Sequence, residues 1–254
     1  MVNVDAYLDR IAYTGPCTPD ATTLAALHRA HLLAVPFENL DIALGRPITL
    51  DLPSRYEKIV TRRRGGFCYE LNGLFAWLLR ELGYDVALLA AGVYGDDDQP
   101  DPNDDHLTLL VRCPGDPTPW LADVGFGEGF REPLRLDVAD EQIRNGRAYR
   151  VEGEGQWRYW EQDREGAWKP RYWFTLTPRQ YGDFAEMCRW QQTSPNSHFT
   201  QHRICSLATP QGRVTLADMQ LIVTERGERH ETPVADAAEY DRLLRERFGV
   251  DLSV

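Results

Sequence analysis

RRRGGFCYELN, residues 62–72, is the stretch on which the reading of this chain turns. Three arginines and two glycines run directly into an apolar, helix-like segment, with a cysteine at the junction. From Cys68 to Leu82 the spacing places Leu71, Phe75, Leu78, Leu79 and Leu82 on one broad face, and Gly83 ends the run. A helix is therefore predicted whose first turn holds Cys68. Thiols ionise more readily at a helix N-terminus and beside a histidine, and Gly65 and Gly66 allow a tight approach of the chain there. The same position also suits a buried cysteine acting as a small hydrophobe, the reading given to Cys113, Cys188 and Cys205.

Working outward, the chain is helical up to about residue 84. TPDATTLAALHRAHLLAV (18–35) offers Thr18 as N-cap and Pro19 at the first helical position. PFENLDI (36–42) reads as a break followed by a short extended piece, and 54–63 as a further short helix. After residue 84 the character changes. DVALLAAGVY, HLTLLVR, PWLADV and RYWFTL read as strands, some continuous enough to be buried on both faces. GDDDQPDPNDD (95–105) reads as a solvated acidic loop. QYGDFAEMCRW looks helical, RICSLAT and LIVTER look like strands, and AAEYDRLLRERFG reads as a closing amphipathic helix. The expected class is α+β, with a helical part over 1–84, a β-rich part over 85–190 and a small mixed part over 191–254.

The whole-chain numbers exclude several function classes. With 254 residues, 43% hydrophobic and 26% charged, the composition is that of an ordinary globular protein. A formal net charge of −11 argues against nucleic acid or an anionic membrane as partner. Five scattered cysteines without a C-x-x-C argue against a disulfide framework or a zinc site, so no metal is expected. No stretch approaches a membrane span and the opening MVNVDAYLDRIAYTG has no leader pattern, so a cytoplasmic setting is expected.

A reactive cysteine needs a base, and the base a group to orient it. Of six histidines, His28 and His31 lie on a helix with an apolar, structural-looking face, His230 falls in a polar surface turn, and His198 and His202 flank a loop-to-strand junction. His106 opens the strand HLTLLV just after the acidic loop, where a scaffold commonly mounts functional groups, although a histidine capping a strand edge reads the same way. For the carboxylate, Asp104 and Asp105 belong to the solvated run. Asp123 ends the apolar strand WLADV, and a part-buried carboxylate there needs a partner. If the two strands are neighbours, Asp123 reaches His106. GFGEG (125–129) has Phe130 where a dinucleotide fingerprint has its last glycine, and lacks a Walker lysine. It reads as a glycine-lined segment beside the site or as a plain turn.

RGGFCYELN, DHLTLLV, ADVGFG, PFENL and SPNSHF, in this arrangement, resemble the arylamine N-acetyltransferases, over residues 36 to about 199. The resemblance implies an N-terminal helical bundle, a central β-barrel-like domain and a C-terminal α/β lid, with the triad held as in cysteine proteases. It implies a ping-pong reaction in which acetyl-CoA acylates Cys68 and an aromatic amine or hydrazine takes the acetyl group. Carried over singly, His106 pairs with the thiol and Asp123 orients it. Val93, Phe126 and Phe199 line an aromatic acceptor slot, or serve as ordinary core. Thr108, Gly125 and Gly127 sit where the family brings CoA near the cysteine. Glu38 is expected to pair with Arg64 and brace the site. Two features depart from the family's longer members: a short C-terminus after Val234, and an interior 140–170 without a placeable motif. The same scaffold also serves amide synthases that close ansamycin-type macrolactams from a carrier-bound acyl chain, so a carrier protein is the partner under that alternative. A non-catalytic binding module and a cysteine protease are the other readings.

Overall fold

A computed structural model describes residues 2–95 and 105–253; most of the acidic loop, Asp104 included, lies outside these. Five short or medium helices build the N-terminal part: α1 (Val4–Arg10), α2 (Ala21–Ala34), α3 (Leu40–Ala43), α4 (Leu52–Tyr56, continued by one π-helical turn over Glu57–Thr61) and α5 (Cys68–Glu81). Helix α5 is the hub. Eleven of its fourteen residues are buried, because its apolar side chains meet α1 and α4 on one side and the first strands of the large sheet on the other. Gly83, at φ +95°, stops it with a left-handed residue that other side chains adopt at a cost. Helix α2 does not begin where the sequence suggested. Its N-cap is Asp20, whose carboxylate accepts from the Thr23 amide at 2.8 Å, so Thr18 and Pro19 lie outside the helix.

Eight antiparallel strands form a barrel-like sheet in the order β5-β4-β3-β2-β9-β8-β7-β6. They are β2 (Asp85–Val93), β3 (His106–Cys113), β4 (Asp116–Ala122), β5 (Leu134–Arg135), β6 (Gln142–Arg144), β7 (Arg147–Glu154), β8 (Gln156–Gln162) and β9 (Trp168–Arg179). Tyr149, Tyr159, Tyr172 and Phe174 fill its interior. The two edge strands are joined by a side chain in place of a ladder: Gln142 accepts from the Arg135 amide at 2.9 Å and donates to the Arg135 carbonyl at 2.8 Å. The stretch 140–170, motif-free in the sequence, is thus the wall of the barrel.

After β9 the chain passes through a 3₁₀ turn (Tyr181–Phe184), α6 (Ala185–Thr193) and α7 (His198–Gln201) into a five-stranded sheet, β1-β10-β11-β12-β13, backed by α8 (Ala237–Phe248). Its strands are β1 (Phe37–Glu38), β10 (Ile204–Thr209), β11 (Gly212–Ala217), β12 (Gln220–Glu225) and β13 (Glu228–Pro233). His230, expected in a turn, stands in the exposed strand β13; the turn is Arg226-Gly227, both at positive φ. His198, expected at a loop-to-strand junction, opens α7, with Ser197 as the cap. The two-residue strand β1 pairs with β10 on one side and bridges Gly66 on the other, so it ties the N-terminal helices to the last sheet.

Candidate active site

The loop before α5 is held from three directions. A Cβ on Gly65 would stand 2.0 Å from the Pro36 carbonyl oxygen, so only glycine allows the loop to lie against β1. Arg10 donates to the carbonyls of Ile59, Ala34, Arg63 and Arg64 at 2.7–3.2 Å, satisfying the irregular backbone that the π-turn leaves behind. Beneath the loop lies a buried charge cluster. Arg64 Nη2 reaches Glu38 at 2.8 Å and Asp41 at 3.1 Å, while Lys58 Nζ lies 2.9 Å from both Asp41 and Glu70. Glu70, three residues into the helix region, turns back to accept from the Phe67 amide at 3.2 Å, a capping contact that fixes where α5 starts. Burial raises the Glu70 carboxyl, with Lys58 opposing, whereas Lys58 and Arg64 overcome burial at Asp41 and hold it low. Removing one member of such a buried set typically costs about 3–5 kcal/mol, because its partners remain charged and dry.

Cys68 is the first residue of α5 and is buried, its Sγ 3.9 Å from the Asp105 carbonyl oxygen. His106, the first residue of β3, lines the same cavity as the Cys68 thiol and turns Nε2 to Asp123 Oδ2 at 2.7 Å. Asp123 follows β4, the neighbour of β3, so the strand pairing brings the two side chains together. Burial works against the imidazolium, but the Asp123 charge and hydrogen bond, with the Cys68 contact, outweigh it and raise His106 to about 10. Asp123 is held below the usual carboxylate range because His106 and its other partners overcome burial. A protonated His106 at neutral pH follows, with Nδ1 left for the sulfur.

The second carboxylate oxygen of Asp123 accepts from Asn72 Nδ2 at 2.8 Å and from the Gly125 amide at 2.9 Å. Asn72 also donates to the Leu107 carbonyl at 2.6 Å and accepts from the Val124 amide at 2.8 Å. It therefore knits α5, β3 and the segment after β4 around the acid. Its signal was present in the sequence, since it stands four residues after Cys68 and so on the same helical face one turn on. His28, read from the sequence as structural, is fully buried behind Asp123: Nε2 accepts from the Asp123 amide at 3.1 Å and Nδ1 lies 3.0 Å from the Arg131 carbonyl. Burial lowers His28 to about 4, which keeps it neutral. Tyr172, unnoticed in the sequence, packs its ring 5.2 Å from that of His106 and sets its hydroxyl 3.3 Å from Thr108 Oγ1.

A cavity of about 590 Å³ opens over the sulfur. Val93, Phe126 and Phe199 line it, joined by Phe37, Met187 and Trp190. Phe126 meets the His106 ring edge-on at 5.4 Å. Of the three residues expected near CoA, Gly125 lines this cavity, and a Cβ there would stand 2.8 Å from Cys68 Cα. Thr108 does not: it is fully buried and its hydroxyl contacts the Ala122 carbonyl and Tyr172. Gly127 lies to the side, at φ +83°, against Phe37. Asp105, expected in a solvated run, is also in the cavity wall, its carboxylate accepting from the Val93 amide at 3.0 Å. Among the described residues no cluster of three or more His, Cys, Asp or Glu is arranged to hold a metal ion, and no helix is long and apolar enough to cross a membrane.

The chain resembles characterised proteins over nearly its full length. A family model described as N-acetyltransferase matches residues 20–254. The arylamine N-acetyltransferase of Mycolicibacterium smegmatis is 36% identical, with 99% of this chain and 93% of that one covered. A Salmonella typhimurium protein named arylamine N-acetyltransferase / N-hydroxyarylamine O-acetyltransferase is 34% identical, covering 98% of this chain and 89% of its own length. The solved structure of Mycobacterium marinum arylamine N-acetyltransferase in complex with CoA matches with a TM-score of 0.92 at 33% identity, over 99% of this chain and 94% of that one.

Proposed function

The chain belongs to the arylamine N-acetyltransferase family, and on that premise we propose that it moves an acetyl group from acetyl-CoA, through a thioester on Cys68, to an arylamine, arylhydrazine or N-hydroxyarylamine. The observation that carries the assignment of roles is the buried contact of Cys68 with His106 and of His106 with Asp123, at the floor of an aromatic cavity. The His106 imidazolium, stabilised by Asp123 through Nε2, holds on Nδ1 the proton given up by the thiol. Sγ attacks the thioester carbonyl; the bond from that carbon to the CoA sulfur breaks, and CoA leaves with the proton from His106. The amine then attacks the acetyl-Cys68 carbonyl, His106 takes the amine proton, and the carbon–Sγ bond breaks to return the thiolate beside the imidazolium. The first-turn amides of α5 have no intrahelical acceptor and supply the positive end of the helix to each developing oxyanion.

Val93, Phe126 and Phe199 support an aromatic acceptor slot, since a ring placed there gains burial and edge-to-face contact. Glu38 and Arg64 brace the loop that sets the position of the sulfur. A cytoplasmic setting belongs to the same proposal, supported by five cysteines that all stand as free thiols. The net charge of −11 speaks against nucleic acid or an anionic membrane as partner. The macrolactam-closing alternative, with its carrier protein, gains no support from the relatives named above. The test is intact-protein mass spectrometry after incubation with acetyl-CoA and no amine, followed by peptide mapping. One acetyl group on the Cys68 peptide, discharged by an arylamine and absent from Cys68→Ala, is the expected result. An adduct elsewhere, or none on a folded protein, overturns the assignment of Cys68.

A further inference from the structure

Arg171 is the one Lys or Arg among the described residues that line the cavity over Cys68. A bulge puts it there. Strand β9 pairs Pro170 with Trp160 and Tyr172 with Tyr159, so Arg171 is the extra residue between two successive partners. Such insertions re-aim a side chain out of the strict alternation of a strand. The Arg171 Cζ lies 5.3 Å from the Phe126 ring centre, and the same ring stands 5.4 Å from that of His106. The guanidinium and the imidazole thus pack against one aromatic side chain.

Within the protein, the Arg171 guanidinium has the Phe126 ring and a long ion pair with Glu161 as its neighbours. Its Nε is buried and makes no hydrogen bond among the described residues. The nearest acid recorded for it, Glu161, is 3.7 Å away, beyond hydrogen-bond length, and is held at 2.6 Å by Arg147. Asp105, also in the wall, has its Oδ1 on the Val93 amide. A guanidinium carries five donors in a planar fork that fits a carboxylate two bonds at a time, and a partly desolvated one gains most from such a partner.

We propose that Arg171 makes this site select substrates that bear a carboxylate, carried either on the ring of the amine acceptor or on the far end of the acyl group of the CoA donor. The inference rests on the acyl-transfer reading above, and the experiment separates the two. In one arm, kcat/KM with acetyl-CoA is measured for 4-aminobenzoate and 4-methylaniline in the wild type, Arg171→Gln and Arg171→Lys. In the other, CoA release from malonyl-CoA and acetyl-CoA is followed in the same proteins. Loss of a charge-assisted contact is expected to lower the carboxylate-over-neutral ratio about 10- to 100-fold in Arg171→Gln, with partial recovery in Arg171→Lys. The arm that shows the fall identifies the source of the carboxylate. Ratios that stay within about twofold of wild type in both arms overturn the proposal. Calorimetric binding of the same four compounds to Cys68→Ser, with and without Arg171→Gln, reads the same ratio without turnover. Should the wild type transfer no acyl group, the reading of the reaction falls, while this binding ratio still decides the role of Arg171.

Discussion

Because His106 gives Nε2 to Asp123, the nitrogen that meets the sulfur is Nδ1, and the ring cannot turn without breaking a 2.7 Å contact. Asp123 is fixed in its turn by Asn72 and the Gly125 amide, so no carboxylate oxygen is left to drift. Asp123→Asn keeps this shape but removes the charge that holds the imidazolium and sets an amide where an acceptor is needed. The expected outcome is a fall of about 10³–10⁴-fold in the rate of CoA release at neutral pH, with a thermal midpoint near that of the wild type. A rate within tenfold of wild type would remove Asp123 from the mechanism. Cys68, His106 and Asp123 could be picked out as candidates in the sequence because each stands at the end of an element, next to glycine or a charge run. Arg10 and Tyr172 could not be singled out so readily, since their partners are backbone groups or side chains remote in the chain, and neither composition nor periodicity records that.

At the scale of one element, α2 carries two buried imidazoles, His28 and His31, both pushed below the ordinary histidine value by burial. For His28, held at about 4, the unfolded chain takes up its proton first as the pH falls. Its contribution is therefore complete above about pH 6.5 and is lost as the pH drops toward 4, amounting to about 3 kcal/mol at most. Urea midpoints should fall between pH 7 and pH 4.5, and His28→Gln should flatten that slope; a slope identical in the variant would show that His28 does not titrate in this window. Groups such as Glu70, raised by burial, act in the opposite sense, which is why the difference between variant and wild type is the decisive quantity. The long elements, α5, α8 and β9, were legible because their apolar periods run for three turns or several pairs. The start of α2 was misplaced because Thr18 and Asp20 are both capable caps, and tertiary packing chose the second. The barrel strands β6 to β8 escaped notice because outward tryptophans and arginines such as Trp160, Arg158 and Arg150 blur the alternation of apolar and polar positions.

Across the whole molecule, the barrel is closed by one amide side chain, Gln142, bonded to both backbone groups of Arg135. Gln142→Ala leaves these groups to find water at the seam, at a cost of about 1–3 kcal/mol. Hydrogen exchange at the Arg135 amide should accelerate more than the loss of global stability accounts for. Unchanged exchange would mean that the packed tyrosines hold the seam without the amide. The small strand β1 binds the molecule together along a different line, for Phe37 and Glu38 pair with Ser206 and Cys205, about 170 positions further on. On a ribosome adding roughly 5–20 residues each second, the partner of β1 emerges on the order of ten seconds after the loop it will pin. The cysteine is therefore made well before the strand that clamps its loop, and the clamp closes only once Cys205 and Ser206 have emerged. A nascent chain that has not yet reached that strand carries the thiol without the pairing that pins its loop.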